Sequence, residues 1–74
     1  MTAILEIRLG ELLRRARLDA RLTQTKLAEQ IGVSQSEVSR WERGEECPTV
    51  IEARALARVT EAEYLYDLRD LPAC

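Results

Sequence analysis

The chain of 74 residues has no histidine and only two cysteines, Cys47 and Cys74. Without histidine, the commonest general base is missing and the usual catalytic triads cannot be built. Two cysteines alone cannot complete a four-ligand zinc site of the cysteine and histidine type. Gly-rich phosphate loops and nucleophile elbows are also missing, and no carboxylates outside capping positions suggest a paired acid and base. We therefore expect a protein that is not an enzyme and that holds no metal or cofactor.

Long apolar segments are missing as well. No run of about 18 apolar residues exists, so the sequence predicts no membrane span. The N-terminal stretch MTAILEIRLGE carries charge too early for a secretory signal. Both features predict a cytoplasmic protein, where a structural disulfide is disfavoured. We therefore expect free thiols at both cysteines, with an intermolecular bond through Cys74 in air as the alternative.

The charges are unevenly distributed along a chain whose net charge is −2. Residues 1–44 hold eight basic and six acidic side chains, whereas residues 45–74 hold three basic and seven acidic ones. The net negative charge argues mildly against a nucleic-acid partner. The uneven distribution instead indicates that the two parts of the chain face different partners.

The apolar residues recur at the three- and four-residue spacing of α-helices. A first helix is predicted from about residue 3 to 20. Gly10 interrupts this helix at a cost of about 1 kcal/mol relative to alanine, so residues 2–8 could instead form an arm or an extra turn. One face of this helix collects its apolar residues: Leu5, Leu9, Leu12, Leu13, Ala16 and Ala20.

Capping residues divide the rest of the chain into four further helices. The second is predicted at Gln24–Ile31, after Thr23, and the third from Gln35 to about Arg43. The fourth is predicted to begin after Thr49, and a fifth, over about 61–70, after Thr60. Three starts match the capping-box pattern of Ser or Thr followed three residues later by Glu: Ser34–Glu37, Thr49–Glu52 and Thr60–Glu63. The sequence therefore predicts a single all-α domain over residues 1–74.

The second and third helices have the spacing of a helix-turn-helix pair. Ala28 is small where two steeply crossing helices must approach each other. Gly32 lies in the turn, where a positive φ is cheap for glycine alone. Val38 follows ten residues after Ala28 and would fill the angle between the helices, and Gly44 ends the third helix.

The stretch LTQTKLAEQIGVSQSEVSRWERGEECPT closely resembles the Cro and phage-repressor type of helix-turn-helix, also called the xenobiotic-response-element family. The resemblance covers about residues 9–57. It implies a compact, lambda-repressor-like bundle of five helices whose third helix enters the DNA major groove. The base-contacting residues that it implies are Gln35, Ser36 and Arg40. The phosphate-contacting residues that it implies are Thr23, Gln24, Ser34, Ser39 and Arg43. The structural residues that it implies are Arg17, Ala28, Gly32, Val38, Trp41 and Glu42, with Arg17 and Glu42 forming a pair.

The chemistry of the proposed base readers agrees with this interpretation. Glutamine can bond adenine through two hydrogen bonds and arginine can do the same with guanine, each discriminating by about 1–3 kcal/mol. Serine is less decisive. An ordinary solvated helix face remains the alternative for Gln35, Ser36 and Arg40. Trp41 is better explained as a core anchor than as a platform for a base.

Two positions depart from the family pattern. Arg21 stands where glycine or asparagine is frequent, and Val59-Thr60-Glu61 replaces a Gly-Val-Ser type of join before the fifth helix. The C-terminal stretch TEAEYLYDLRDL is apolar on one side and acidic on the other, which suits either core closure or a protein partner.

The function that this resemblance implies is a sequence-specific DNA-binding transcriptional regulator. It would be a homodimeric Cro-like or prophage repressor-like protein on a palindromic operator in double-stranded DNA. The alternative is a DNA-binding antitoxin, or a protein-interaction adaptor, that uses the acidic C-terminal helix.

Overall fold

The computed structural model of the chain describes residues 9–62, and these residues form four α-helices without a strand. The helices are α1 (Leu9–Asp19), α2 (Gln24–Ile31), α3 (Gln35–Glu42) and α4 (Val50–Thr60). The all-α class is confirmed. The predicted fifth helix falls almost wholly outside the described residues, as do residues 3–8 of the predicted first helix.

The starts of α2, α3 and α4 are fixed by local hydrogen bonds from their capping residues. The Lys26 N–H donates to Thr23 Oγ1 over 3.0 Å. The Glu37 N–H donates to Ser34 Oγ over 3.1 Å, and the Ser34 N–H donates back to Glu37 Oε1 over the same distance. Thr49–Glu52 forms the second capping box in the same way. These bonds satisfy backbone N–H groups that have no partner inside the helix.

The predicted cap at Thr60 is wrong. Thr60 is the last residue of α4, and its hydroxyl donates to the Leu56 carbonyl over 2.7 Å. Glu61 then adopts the left-handed conformation with φ 58°, and its N–H donates to the Ala57 carbonyl as the C-cap of α4. Threonine can bond back to the preceding turn as readily as it can cap a following one, and here the first option holds. A fifth helix therefore does not begin at residue 61.

The core lies between all four helices. Helix α2 packs against α3 and α4, and α1 packs against the same two helices from another side. Trp41 is buried in this core at 3% exposure, in agreement with its interpretation as an anchor. The other buried apolar side chains are Leu9, Leu13, Ala16, Leu27, Ala28, Val38, Ala53, Leu56, Ala57 and Ala62.

Gly10 does not interrupt α1 but allows this helix to touch the end of α3. The residue is buried, and α1 runs through it from Leu9. A Cβ at this position would lie 2.4 Å from the Trp41 carbonyl oxygen and 2.7 Å from that of Glu42. The helix backbones therefore approach so closely that only a residue without a side chain fits.

Three further features bear on the sequence predictions. Arg21 has a positive φ of 62° in the turn after α1, a conformation that glycine and asparagine adopt more readily than arginine. The expectation of a free thiol is wrong for Cys47, because this residue is disulfide-bonded in the structure. Between residues 9 and 62, no helix has the length and apolar character that crossing a membrane requires.

Candidate nucleic-acid interface

The turn between α2 and α3 is built by backbone geometry around Gly32. This glycine has φ 81° and donates its N–H to the Ala28 carbonyl over 2.9 Å, and the Val33 N–H donates to the same carbonyl over 3.0 Å. Ala28 and Val38 are both buried where the helices meet, at 2% and 1% exposure. The left-handed glycine ends α2 and turns the chain toward the start of α3.

Helix α3 divides into a buried face and a polar face. Val38 and Trp41 point into the core. Five polar residues of α3 and its C-cap, at about 100° per residue, fall within an arc of roughly 140° on the opposite side, and only Glu37 and Glu42 lie outside it. This arc holds the exposed Gln35, Ser36 and Arg43 and the half-buried Ser39 and Arg40. The helix thus presents a continuous hydrogen-bonding surface to the outside.

The first residues of α2 and α3 are joined by their side chains. Gln35 Nε2 donates to Gln24 Oε1 over 2.7 Å. Gln24 Nε2 in turn donates to Glu42 Oε1 over 3.0 Å. The amide of Gln35 is therefore oriented by two residues behind it, while its side chain remains on the exposed face of α3.

Glu42 receives this chain of hydrogen bonds because it is already held by Arg17. Arg17 Nε donates to Glu42 Oε2 over 2.7 Å, and Arg17 Nη2 donates to Glu42 Oε1 over 3.0 Å. Arg17 Nη1 donates to the Leu22 carbonyl over 2.9 Å. The two charged side chains are only 10% and 4% exposed. This two-pronged ion pair connects α1 to α3, and through Gln24 it also connects both to α2.

The comparisons with known proteins agree with this geometry. A family model described as Helix-turn-helix, of the Cro/C1 type, matches residues 13–65 of the chain. The chain belongs to the Cro/C1-type helix-turn-helix family. Membership identifies it as a DNA-binding protein with a role in transcription regulation. The searches of curated proteins and of solved structures find no match.

The structure brings most of the predicted contact residues of this helix-turn-helix to one side. Gln24 lies at the N-terminus of α2, beside Gln35 at the N-terminus of α3. Thr23 and Ser34 are the N-caps of the same two helices and are exposed. Helix N-termini favour anions because their free N–H groups and dipoles carry partial positive charge. The two adjacent helix starts therefore form a surface that suits phosphate groups.

The two arginines of this surface are held by acidic side chains that the sequence pattern does not reveal. Arg43 Nε donates to Glu45 Oε2 over 2.9 Å, and Arg43 Nη2 donates to Glu45 Oε1 over 3.1 Å. Arg43 also donates to Ser39 Oγ. Arg40 Nε lies 3.1 Å from Glu46 Oε2. These two atoms attract each other as charges but are not aligned as a hydrogen bond, and this buried N–H has no other acceptor among the described residues.

The Arg43–Glu45 contact changes the acidity of both groups. The hydrogen bonds from Arg43, reinforced by its charge, hold the pKa of the Glu45 carboxyl below its ordinary value, and the same bonds raise the pKa of Arg43. The contact therefore favours the folded state above the unfolded pKa of Glu45. This contribution is lost as the pH falls through the lower, folded pKa.

A carboxyl titration followed by NMR tests this contact. We expect the pKa of Glu45 to lie below the ordinary glutamate value and to return toward it in Arg43→Ala, because the hydrogen-bond donors are then gone. Arg58→Ala, which removes an exposed charge from α4, is the matched control and should leave the Glu45 pKa unchanged. An ordinary Glu45 pKa in the unchanged protein would contradict the observed geometry.

Proposed function

We propose that the chain is a sequence-specific transcriptional regulator of the Cro-like or phage repressor-like kind, which reads DNA with α3 in the major groove. The observation that carries this proposal is the outward polar face of α3, with Gln35 oriented by Gln24 at the start of α2. A pre-oriented amide loses little conformational entropy when it bonds a base. The chain acts by binding alone, without a catalytic step.

Base and phosphate contacts divide among the polar residues by position. Gln35 and Arg40 have the side chains that bond adenine and guanine through paired hydrogen bonds, and Ser36 lies between them on the same face. Ser39, in α3, and Arg43, the C-cap of this helix, contact the DNA backbone. Phosphates also bind at the starts of α2 and α3, where they contact Thr23, Gln24 and Ser34.

We propose that the protein binds as a homodimer on a palindromic operator. A single motif of this size covers too little DNA for tight specific binding, and two-fold symmetric proteins read half-sites about one helical turn apart. Sedimentation of the protein on a selected duplex should give two protomers per site. A complex of one protomer with a non-symmetric site would rule out this arrangement.

Selection from a random DNA pool, followed by substitution of the base readers, tests the main proposal. We expect Gln35→Ala and Arg40→Ala each to weaken binding to the selected site about 5- to 150-fold, because each loses a paired base contact of about 1–3 kcal/mol. Each change should also relax the preference at one base position. The affinities are measured by fluorescence anisotropy at a stated salt concentration, since phosphate contacts make binding strongly salt-dependent.

The chain offers matched controls for both changes. Gln30 is exposed on α2 and Arg58 is exposed on α4, outside the polar face of α3. Gln30→Ala and Arg58→Ala should change the affinity less than about 2-fold, as surface substitutions outside a contact usually do. Binding that survives the loss of both Gln35 and Arg40 would refute the assignment of α3. A complete lack of salt-dependent affinity for any duplex would instead favour an adaptor.

A further inference from the structure

The loop after α3 carries two glutamates that face the two arginines of the polar surface. Glu45 contacts Arg43, and Glu46 contacts Arg40. Each ion pair is about half exposed, so solvent or another anion can reach it: the side-chain exposures are 36% and 51% for Arg40 and Glu46, and 54% for both Arg43 and Glu45. The arginines that the proposed function assigns to DNA are thus already occupied by carboxylates of the same chain.

Backbone hydrogen bonds put these carboxylates in place. Gly44, with φ 77°, donates its N–H to the Trp41 carbonyl over 3.1 Å. The N–H groups of Glu45 and Glu46 both point back to the Arg40 carbonyl, at 2.9 and 3.4 Å. This pattern is a Schellman motif, in which a left-handed glycine folds the chain back over the last helical turn. The two glutamates therefore lie beside α3 because of the backbone, and not merely because their side chains are attracted there.

We propose that Glu45 and Glu46 are internal counter-ions that lower the affinity of α3 for arbitrary DNA and thereby raise its specificity. This inference rests on the proposed function. A phosphate that approaches Arg43 must replace Glu45, and a base or phosphate that approaches Arg40 must replace Glu46. The binding free energy gained in this exchange is smaller than the free energy gained when a phosphate pairs with an arginine that has no partner. The displaced carboxylates also remain near the duplex and repel its phosphates.

The two pairs have separate consequences. Arg40 Nε is buried, close to Glu46, and without an aligned acceptor, so a guanine that accepts from this arginine replaces an imperfect partner. Arg43 has two aligned bonds to Glu45, which only a well-placed phosphate can match. Glu46 therefore affects the choice of one base position, whereas Glu45 affects binding to all duplexes alike.

The test compares Glu45→Gln/Glu46→Gln with a charge-matched control. Glutamine keeps the size of each side chain and removes its charge. The control, Glu11→Gln/Asp19→Asn, changes the net charge equally at two exposed positions of α1. Binding to the selected site and to an unrelated duplex is measured by anisotropy over a series of salt concentrations, and circular dichroism with thermal unfolding verifies that each variant is folded.

We expect the double variant to bind the unrelated duplex at least about 10-fold more tightly at low salt, with a slope of log affinity against log salt that is steeper by roughly 1 to 2, since each newly neutralised phosphate adds about 0.9. Affinity for the selected site should rise less, so the ratio of specific to unrelated binding should fall. The control should change the unrelated affinity less than about 3-fold, because Glu11 and Asp19 lie on α1 and pair with neither Arg40 nor Arg43.

The outcomes separate this inference from the proposed function. If the unchanged protein binds its selected site but the double variant behaves like the control, the counter-ion role is overturned and the regulator function stands. If only the double variant binds DNA, the counter-ion role is supported and the regulator function fails for the unchanged chain. If neither protein binds any duplex, both are overturned.

Discussion

Replacing Gly10 by alanine should destabilise the protein by about 3 kcal/mol, the upper part of the range for overpacking a tight core. The added Cβ would sit 2.4 Å from one backbone carbonyl oxygen of α3 and 2.7 Å from the next. Backbone carbonyls at the end of a helix cannot rotate away like a flexible side chain, so α1 and α3 must separate. Helix propensity alone predicts the opposite sign, because alanine is favoured over glycine by about 1 kcal/mol inside a helix.

Urea unfolding of two separate variants, Gly10→Ala and Gly32→Ala, tests this prediction. Gly32 is the control because its φ of 81° is unfavourable for alanine, yet no atom lies within 4 Å of the Cβ that would be added. Its substitution should cost only about 1–2 kcal/mol, the usual penalty of a left-handed residue with a side chain. A Gly10→Ala protein as stable as the unchanged one would show that the two helices do not approach closely.

The parts of the fold that sequence could predict are those whose causes are local. Ser34 and Thr49 each make both capping-box bonds with a glutamate three residues away. A pattern of four residues therefore predicts the start of α3 and the start of α4. Gly32 and Ala28 are likewise four residues apart and define one turn. These contacts depend on neighbours along the chain, and the pattern of residue types contains them.

The parts that sequence could not predict depend on partners far along the chain, or on residues that have two equally available local hydrogen bonds. Nothing near Gly10 shows that its partner is the end of α3, about thirty residues away. Thr60 can cap a following helix or bond the preceding turn, and its sequence neighbours do not decide between them. Glu45 and Glu46 resemble an ordinary acidic loop until the Schellman motif folds them back toward the arginines.

Removing the carboxylate of Glu42 should cost about 3–5 kcal/mol of folding free energy, which is the usual penalty for breaking a buried ion pair. Arg17 would keep its bond to the Leu22 carbonyl but would lose both bonds to the carboxylate, leaving a charge that is only 10% exposed without its partner. Glu42→Ala should therefore unfold at a much lower urea concentration. Glu52→Ala is a useful comparison, because it removes an exposed capping bond and should cost only about 1 kcal/mol.

A double replacement separates the structural role of this pair from its role in DNA binding. Arg17→Met/Glu42→Leu removes both charges and fills the space with apolar groups, a change that is often neutral or stabilising for buried pairs. We expect it to recover most of the stability lost in Glu42→Ala, with some loss because the Leu22 carbonyl no longer has its donor. DNA affinity should nevertheless stay reduced about 5-fold or more, since Gln24 has lost its acceptor and no longer fixes Gln35.

The relation between stability and DNA affinity across these variants shows whether the Arg17–Glu42 pair supports DNA binding as well as folding. Gln24→Ala breaks the link to Gln35 but keeps both charges of the ion pair, so its stability should stay within about 1 kcal/mol of the unchanged protein. Its DNA affinity should fall at least as far as that of the double variant, because the proposed phosphate contact of Gln24 is lost as well. If affinity instead follows stability in every variant, the Arg17–Glu42 pair serves the fold alone. Full DNA affinity in the stable double variant would likewise show that Gln35 needs no support from behind, because the groove itself orients the amide.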